Sequence, residues 1–282
     1  MPKKVIWGLI ACGLFLLMII GLGLTTQIHQ DQTNHVVTKQ KRPLIMIGGS
    51  SSSLTDFDDI IRSLNKTDRH PLIRVTITAD QQLKVTETRV ENTTINDALI
   101  VIFFENSTDS NDNIKTQTTG LAKAVRYLKR HQHLTTANAL GYSNGGLIWS
   151  RYLAGLSTDN PLSVHDLMVI GTPFLGTDAE NPDKTLYDPL LDHKAAFKKL
   201  HAVINVAGDT GDGNDDIVPL SSVNAGGKLF MNNVTRYTAM TVNQKSISHG
   251  DLLHEAYVAV SYTHLTLPTT AHSCRSRWSP YH

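Results

Sequence analysis

Cysteine is almost absent. The chain of 282 residues carries two thiols, Cys12 and Cys274, near its opposite ends. The long stretch between them therefore cannot form a disulfide. Small exported domains often need disulfides, but one of roughly 220 residues buries enough core without them. An excess of either charge is also missing. There are 26 Lys and Arg against 25 Asp and Glu, for a net charge of +1. Nothing in that balance points to nucleic acid or to a strongly anionic partner. No internal repeat and no long low-complexity run is present. What remains is ordinary globular composition, 40% hydrophobic and 18% charged, suited to one domain or one plus a small appendage.

Charge is absent altogether from Val5 to Leu24, directly after Lys3 and Lys4. A helix of that length spans a hydrocarbon core of about 30 Å. The two lysines should stay cytoplasmic and send the rest of the chain outside. A cleaved signal peptide is the rival reading. The run is long for one, and no small-x-small site follows it. Leu9-Ile10-Ala11-Cys12 resembles a lipoprotein processing box, but few apolar residues precede Cys12 and many follow. Residues 1–26 are thus read as a transmembrane anchor or signal, 27–42 as a polar linker and 43–259 as the folded domain. In the tail, Val260 to Thr270 and Cys274 to His282 resemble, in order, two translated pieces of a transposase-type sequencing adapter. Residues 260–282 are therefore read as non-native. A cysteine-free outer domain fits a Gram-positive surface.

Within 43–259, Leu44 to Ile47 predicts a buried strand entering a Gly48-Gly49 loop. Thr55 is placed to cap a helix carrying Phe57, Ile60, Ile61 and Leu64 on one face. Ile73, Val75 and Ile77 alternate with polar residues, as do Leu83 and Val85 beyond Asp80-Gln81-Gln82, which predicts a hairpin with one wet face. Ala98 to Phe104 is a continuous apolar strand, buried on both sides. Leu121, Ala124, Val125 and Leu128 have helical spacing. Ala137 to Leu140 predicts a short strand, and Leu147, Ile148, Tyr152 and Leu153 the helix after it. Leu167 to Ile170, Val203 to Ala207 and Val234 to Met240 predict further strands. Short apolar strands alternating with helices give a mostly parallel sheet with helices on both faces.

Gly141-Tyr142-Ser143-Asn144-Gly145 contains Gly-x-Ser-x-Gly between a strand and an amphipathic helix. So sharp a turn leaves Ser143 strained at its tip, and side chains at 141 or 145 would clash. The serine oxygen then faces a helix N-terminus, whose dipole favours developing negative charge. A serine nucleophile needs a base, and the base needs an orienting acid. The segment Gly208 to Pro219 supplies Asp209, Asp212, Asp215 and Asp216 at the carboxyl end of a strand. It fails as an EF-hand: counted from Asp212, glycine is missing at the sixth place and glutamate at the twelfth. Ser248-His249-Gly250-Asp251 follows the last strand. His249 is preferred as base to His254, which falls inside the next helix. The order serine, acid, histidine is met. Two amides are needed for an oxyanion hole. Asn144, after the nucleophile, offers one, and Ser50, in the loop Gly48 to Ser53, the other.

These residues resemble a family of Gram-positive cell-surface α/β hydrolases defined as a domain of unknown function. The likeness runs from about Pro43 to Ala259. It rests on Pro43 to Gly49, Ile73 to Thr78, Ile100 to Asn106, the Ser143 turn, Gly171-Thr172-Pro173-Phe174-Leu175-Gly176, Asn214 to Pro219 and His249. The resemblance implies an α/β-hydrolase fold and an esterase-like or lipase-like activity. Aligned on Ile217-Val218-Pro219, the family pattern puts its acid at Asp215, with Asp216 where a small residue is usual. Physical reasons agree: Asp209 adjoins the strand, Asp212 lies between two glycines, and Asp216 should point away from Asp215 in an extended stretch. Two departures stand out. Gly48-Gly49 replaces the usual His-Gly, and Tyr142-Ser143-Asn144-Gly145 the usual His-Ser-Met-Gly. Leu175 to Ala195 lies where such folds carry a lid, and its Leu186, Tyr187, Leu190 and Leu191 either line an acyl pocket or cap the core.

The expectation is a cell-surface serine hydrolase that cleaves carboxylic esters through an acyl-enzyme, using Ser143, Asp215 and His249. A small-molecule or lipid ester is its expected partner, with a membrane contact through the N-terminal helix. No cofactor, metal or nucleic acid is expected. Two alternatives stay open: a catalytically silent surface-binding domain, and acyl transfer to a cell-envelope acceptor.

Overall fold

The computed structural model describes residues 41–66 and 68–254. The anchor, most of the linker and the 260–282 tail lie outside the described residues. Among those described, the strands are β1 (Leu44–Ile47), β2 (Leu72–Ile77), β3 (Leu83–Thr88), β4 (Leu99–Phe104), β5 (Thr136–Tyr142), β6 (Ser163–Ile170), β7 (Ala202–Asp209) and β8 (Arg236–Asn243). The α-helices are α1 (Asp58–Leu64), α2 (Asn111–Gln132), α3 (Asn144–Leu153), α4 (Tyr187–Asp192), α5 (Leu220–Asn224) and α6 (Gly226–Phe230). The strands form one sheet in the order β3-β2-β4-β1-β5-β6-β7-β8. Every pairing is parallel except the β2–β3 hairpin at one edge.

Strands β1 and β4 are apolar throughout because each is covered on both faces. Ile45 and Ile47 face one layer, packed with Leu121, Val125 and Leu128 of α2 and Leu147 of α3. Leu44 and Met46, one step out of phase, face Ile60 and Ile61 of α1 and Leu252. Because the central strands run parallel, β1, β5, β6 and β7 all release their loops at one end of the sheet. Those loops begin at Gly48, Ser143, Gly171 and Thr210, and they meet where open α/β sheets bind ligands.

Several boundaries differ from the sequence reading. Helix α1 starts at Asp58 with Phe57 in the capping position and no side-chain cap. Thr55 instead contacts the hydroxyl of Ser53, in a turn closed by Asp56. Strand β6 begins at Ser163 rather than Leu167. Its pairing with β5 shifts between Ala137 and Ala139, so that two residues, His165 and Asp166, oppose Asn138. A polar pair inside the strand hides its start from any search for apolar runs. β8 is displaced toward the C-terminus, to Arg236–Asn243. After His249 the chain forms a short 3-10 turn, Gly250–Leu253, and His254 closes that turn. The lid segment caps the core: Tyr187 and Leu190 are buried, and the Tyr187 hydroxyl donates to the Ala225 carbonyl at 2.8 Å. Leu186 is buried too but also reaches the cavity described below.

Trp149 fixes α3 to the sheet. It is fully buried, and its Nε1–H donates to the Leu140 carbonyl at 3.1 Å. Trp149→Ala should lower the unfolding free energy by about 3–5 kcal/mol. Urea denaturation reads this directly, and a loss below about 1 kcal/mol would show that α3 does not depend on this contact.

Candidate active site

Ser143 has φ 53° and ψ −128°, in the left-handed half of backbone space that a side chain rarely occupies. Three observations explain how it is held there. Its amide donates to the Ile170 carbonyl at the end of β6 at 2.8 Å. A Cβ on Gly141 would lie 2.6 Å from the Gly146 backbone. A Cβ on Gly145 would run into the Ile47 carbonyl oxygen of β1. Strand, turn and helix are thus packed backbone to backbone. Ser143 stands immediately before α3, at its N-terminal end.

Asp215 has no exposed surface. One carboxylate oxygen accepts the amides of Val218 (2.7 Å) and Ile217 (3.2 Å). The other lies 2.8 Å from Nδ1 of His249. An Nδ1–H donated to that carboxylate leaves Nε2 of His249 as the acceptor. Nε2 is buried and has no hydrogen-bond partner. Two glycines make room: a Cβ on Gly208 would lie 2.8 Å from the Asp215 Cβ, and one on Gly171 2.8 Å from the His249 ring. Tyr142 completes the clamp. Its ring stacks on His249 at 5.0 Å, and its hydroxyl donates to the His249 carbonyl at 2.9 Å. Burial first, and then the Asp215 charge, push the Tyr142 phenol well above its usual range, so it stays a donor.

Gly49 lies directly against the serine. A Cβ there would sit 2.5 Å from the Ser143 Cβ and 3.3 Å from the Asn144 amide. The loop is braced from within, since the Ser52 hydroxyl donates to the Gly49 carbonyl and the Ser51 amide to Ser107 (3.2 Å). The Asn144 side chain joins it to α3, donating to the Ser50 hydroxyl and to Asp109, both at 2.8 Å.

Ser143 and His249 line one cavity of about 590 Å³, within the range of small-molecule sites. Ile114, Leu147, Phe174 and Leu186 give it an apolar wall, and Asp109, Asp178 and Asp183 stand around it. The segment over it is pinned: Asp183 accepts from Asn111 at 2.7 Å, and the Ser222 hydroxyl bridges Leu175 and Gly176. The Thr185 and Asn111 hydrogen bonds hold the Asp183 carboxyl below its usual range.

Ser143, His249, Ser50 and Asn144 all border this cavity, and Asp215 stands directly behind His249. The other candidate acids do not reach the histidine. Asp209 closes its own turn on the amides of Gly211 and Gly213, Asp212 is exposed, and Asp216 is exposed at φ 71°. His254 pairs with Asp59 at 2.7 Å. Sequence reasoning missed Asp109, whose partner Asn144 lies far along the chain. It also gave Tyr142 no role, although that residue stood in the turn as a departure from the usual histidine.

Among the described residues no helix is long and apolar enough to cross a membrane. The run Val5 to Leu24 lies outside them. A solved structure described as a candidate cell surface hydrolase from Lactobacillus plantarum WCFS1 is similar, with a TM-score of 0.69 at 29% identity, covering 81% of this chain and 92% of that one. The product of gene lin2722 from Listeria innocua gives a TM-score of 0.70 at 20% identity, covering 82% and 96%, a likeness of fold. None of the curated proteins matches. The family described as alpha/beta hydrolase of unknown function (DUF915) matches residues 31–269, nearly the whole chain, and the chain belongs to that family.

Proposed function

We propose that this hydrolase cleaves carboxylic esters through an acyl-enzyme on Ser143, on the outer face of a membrane. The observation that carries the reading is His249: its Nδ1 is held by a buried carboxylate, its Nε2 is left without a partner, and the residue lines the same cavity as Ser143. Nε2 takes the Ser143 proton as Oγ attacks the ester carbonyl. The amides of Asn144 and Ser50 receive the oxyanion. Asp215 accepts from Nδ1 and stabilises the imidazolium, which then gives its proton to the departing alcohol. Water, activated by the same nitrogen, releases the acid and restores Ser143.

Ser143→Ala should abolish labelling of the chain by a fluorophosphonate and lower ester turnover on the order of 10⁴-fold or more. A folded variant with near-normal turnover removes Ser143 from the chemistry. Wild-type protein that is folded yet stays unlabelled and inactive favours a silent binding domain.

Asp215→Asn should lower kcat by about 10⁴-fold, by analogy with other triads, while Asp216→Asn costs far less. The reverse ranking in folded variants would reassign the acid.

The uncharged run after Lys3 and Lys4 supports a retained anchor. On cell fractionation the full chain should travel with membranes, and a chain begun at Gln27 should not. Recovery of free mature protein lacking residues 1–26 would instead identify a cleaved signal.

A further inference from the structure

A second cluster of ligand-type side chains sits at the other end of the sheet from Ser143. His165 and Asp166 are the bulged pair of β6 opposite Asn138. His201 stands just before β7, and its amide donates to the His165 carbonyl at 2.8 Å. The Nδ1 atoms of His165 and His201 each lie 3.0 Å from the same Asp166 oxygen, Oδ1. The three donor atoms all fall within 4.8 Å of one another. The two rings lie 4.7 Å apart and tilted by 33°.

Hydrogen bonding leaves this cluster incomplete. His201 bonds to Asp166 through Nδ1. His165 Nδ1 is equally close, yet it is buried without a hydrogen-bond partner. Asn138 Oδ1, on the strand facing the bulge, is buried without one as well, in a residue 4% exposed. The Asp166 side chain is 2% exposed, so its charge is cut off from water. Orphaned buried polar atoms and a buried carboxylate carry a desolvation cost that folding tolerates only for a reason. His165 and His201, 30% and 45% exposed at the side chain, leave a path from solvent.

We infer that His165, Asp166 and His201 bind a divalent transition ion of the zinc class. Two imidazole nitrogens and one carboxylate oxygen form a donor set that suits zinc, whereas calcium and magnesium require oxygen. Bonds of about 2.0–2.1 Å in a tetrahedron place donors roughly 3.3 Å apart, near the 3.0 Å from each histidine nitrogen to Asp166, with all three donors within 4.8 Å. The ion gives the orphaned His165 nitrogen its partner and neutralises Asp166. The fourth position falls to water or to Asn138 Oδ1. Placed where β6 begins and β7 is about to begin, the ion clamps the base of the sheet and takes no part at Ser143.

The test uses the full chain without an affinity tag, purified in detergent, stripped by a chelator and dialysed against Zn²⁺. Metal content and the melting midpoint are then measured. One zinc per chain and a raised midpoint are expected, with Mg²⁺ and Ca²⁺ giving neither. His165→Gln and His201→Gln, checked for native circular dichroism, should each weaken zinc binding at least ~10-fold and remove the zinc-dependent rise in the midpoint. His254→Gln, at the exposed pair with Asp59, should change neither. Folded wild type that retains no zinc overturns the inference and leaves a plain Asp166–His201 hydrogen bond. Zinc binding that survives unchanged in both histidine variants overturns it too, by placing the metal elsewhere.

Discussion

The constraint on which the rest depends is the backbone conformation of Ser143. A serine at φ 53° has left the regions that side chains favour, and the strain must be held by its surroundings. Here the holding is steric, together with the bond from the Ser143 amide to the Ile170 carbonyl. Gly141 lies against Gly146, Gly145 against the Ile47 carbonyl, Gly146 against Thr172, and Gly49 against Ser143 itself. Four chain segments from β1, β5, α3 and the β6 loop therefore share one small volume that leaves no room for a side chain on any of these glycines. Once they do, the direction of α3 is fixed and Trp149 is brought under Leu140. The serine is left on the side of the sheet where β7 delivers Asp215. The apolar layers supply the energy of folding, and the glycines decide its shape around Ser143.

A second constraint follows from burial. A carboxylate with no exposed surface is tolerable only if its lone pairs are used. Asp215 meets this with two backbone amides from its own loop and one ring nitrogen from His249. The loop thus solvates the carboxylate, and the carboxylate orients the His249 ring. Removing the charge disturbs loop and histidine together, so any measured effect at 215 contains both. Asp216 illustrates the contrast: its neighbour is buried, while its own side chain faces solvent and its amide is held by Asn214.

The central strands were legible because burial on both faces writes them as unbroken apolar runs, as in Leu44 to Ile47 and Leu99 to Phe104. The Ser143 turn was legible because glycine spacing records steric contact. The choice of Asp215 needed the family pattern, since four aspartates lie within eight residues and alternation alone left them open. Other features had no local signature. The start of β6 is hidden by a bulge that places the polar pair His165 and Asp166 inside the strand. The cap of α1 fell on Phe57 because the Ser53–Asp56 turn had already engaged the Thr55 hydroxyl. The Asp109–Asn144–Ser50 links join residues that only the fold brings together.

Those links bear on the two departures from the family pattern, which prove to be neighbours in space. Where the pattern has His-Gly, this chain has Gly48-Gly49. Where it has methionine after the serine of the turn, this chain has Asn144. A glycine pair gives the loop more freedom and raises the entropy lost when it is fixed. Methionine at 144 could pack against that loop but could not donate to it. The Asn144 amide does donate, reaching both the Ser50 hydroxyl and Asp109, and all three residues line the cavity. The loop is further tied by Ser52 to Gly49 and by Ser51 to Ser107. What a bulkier residue before Gly49 would do by packing is done here by directed bonds. In this chain the loop after Gly48 and the side chain of Asn144 thus act together in holding the backbone beside Ser143.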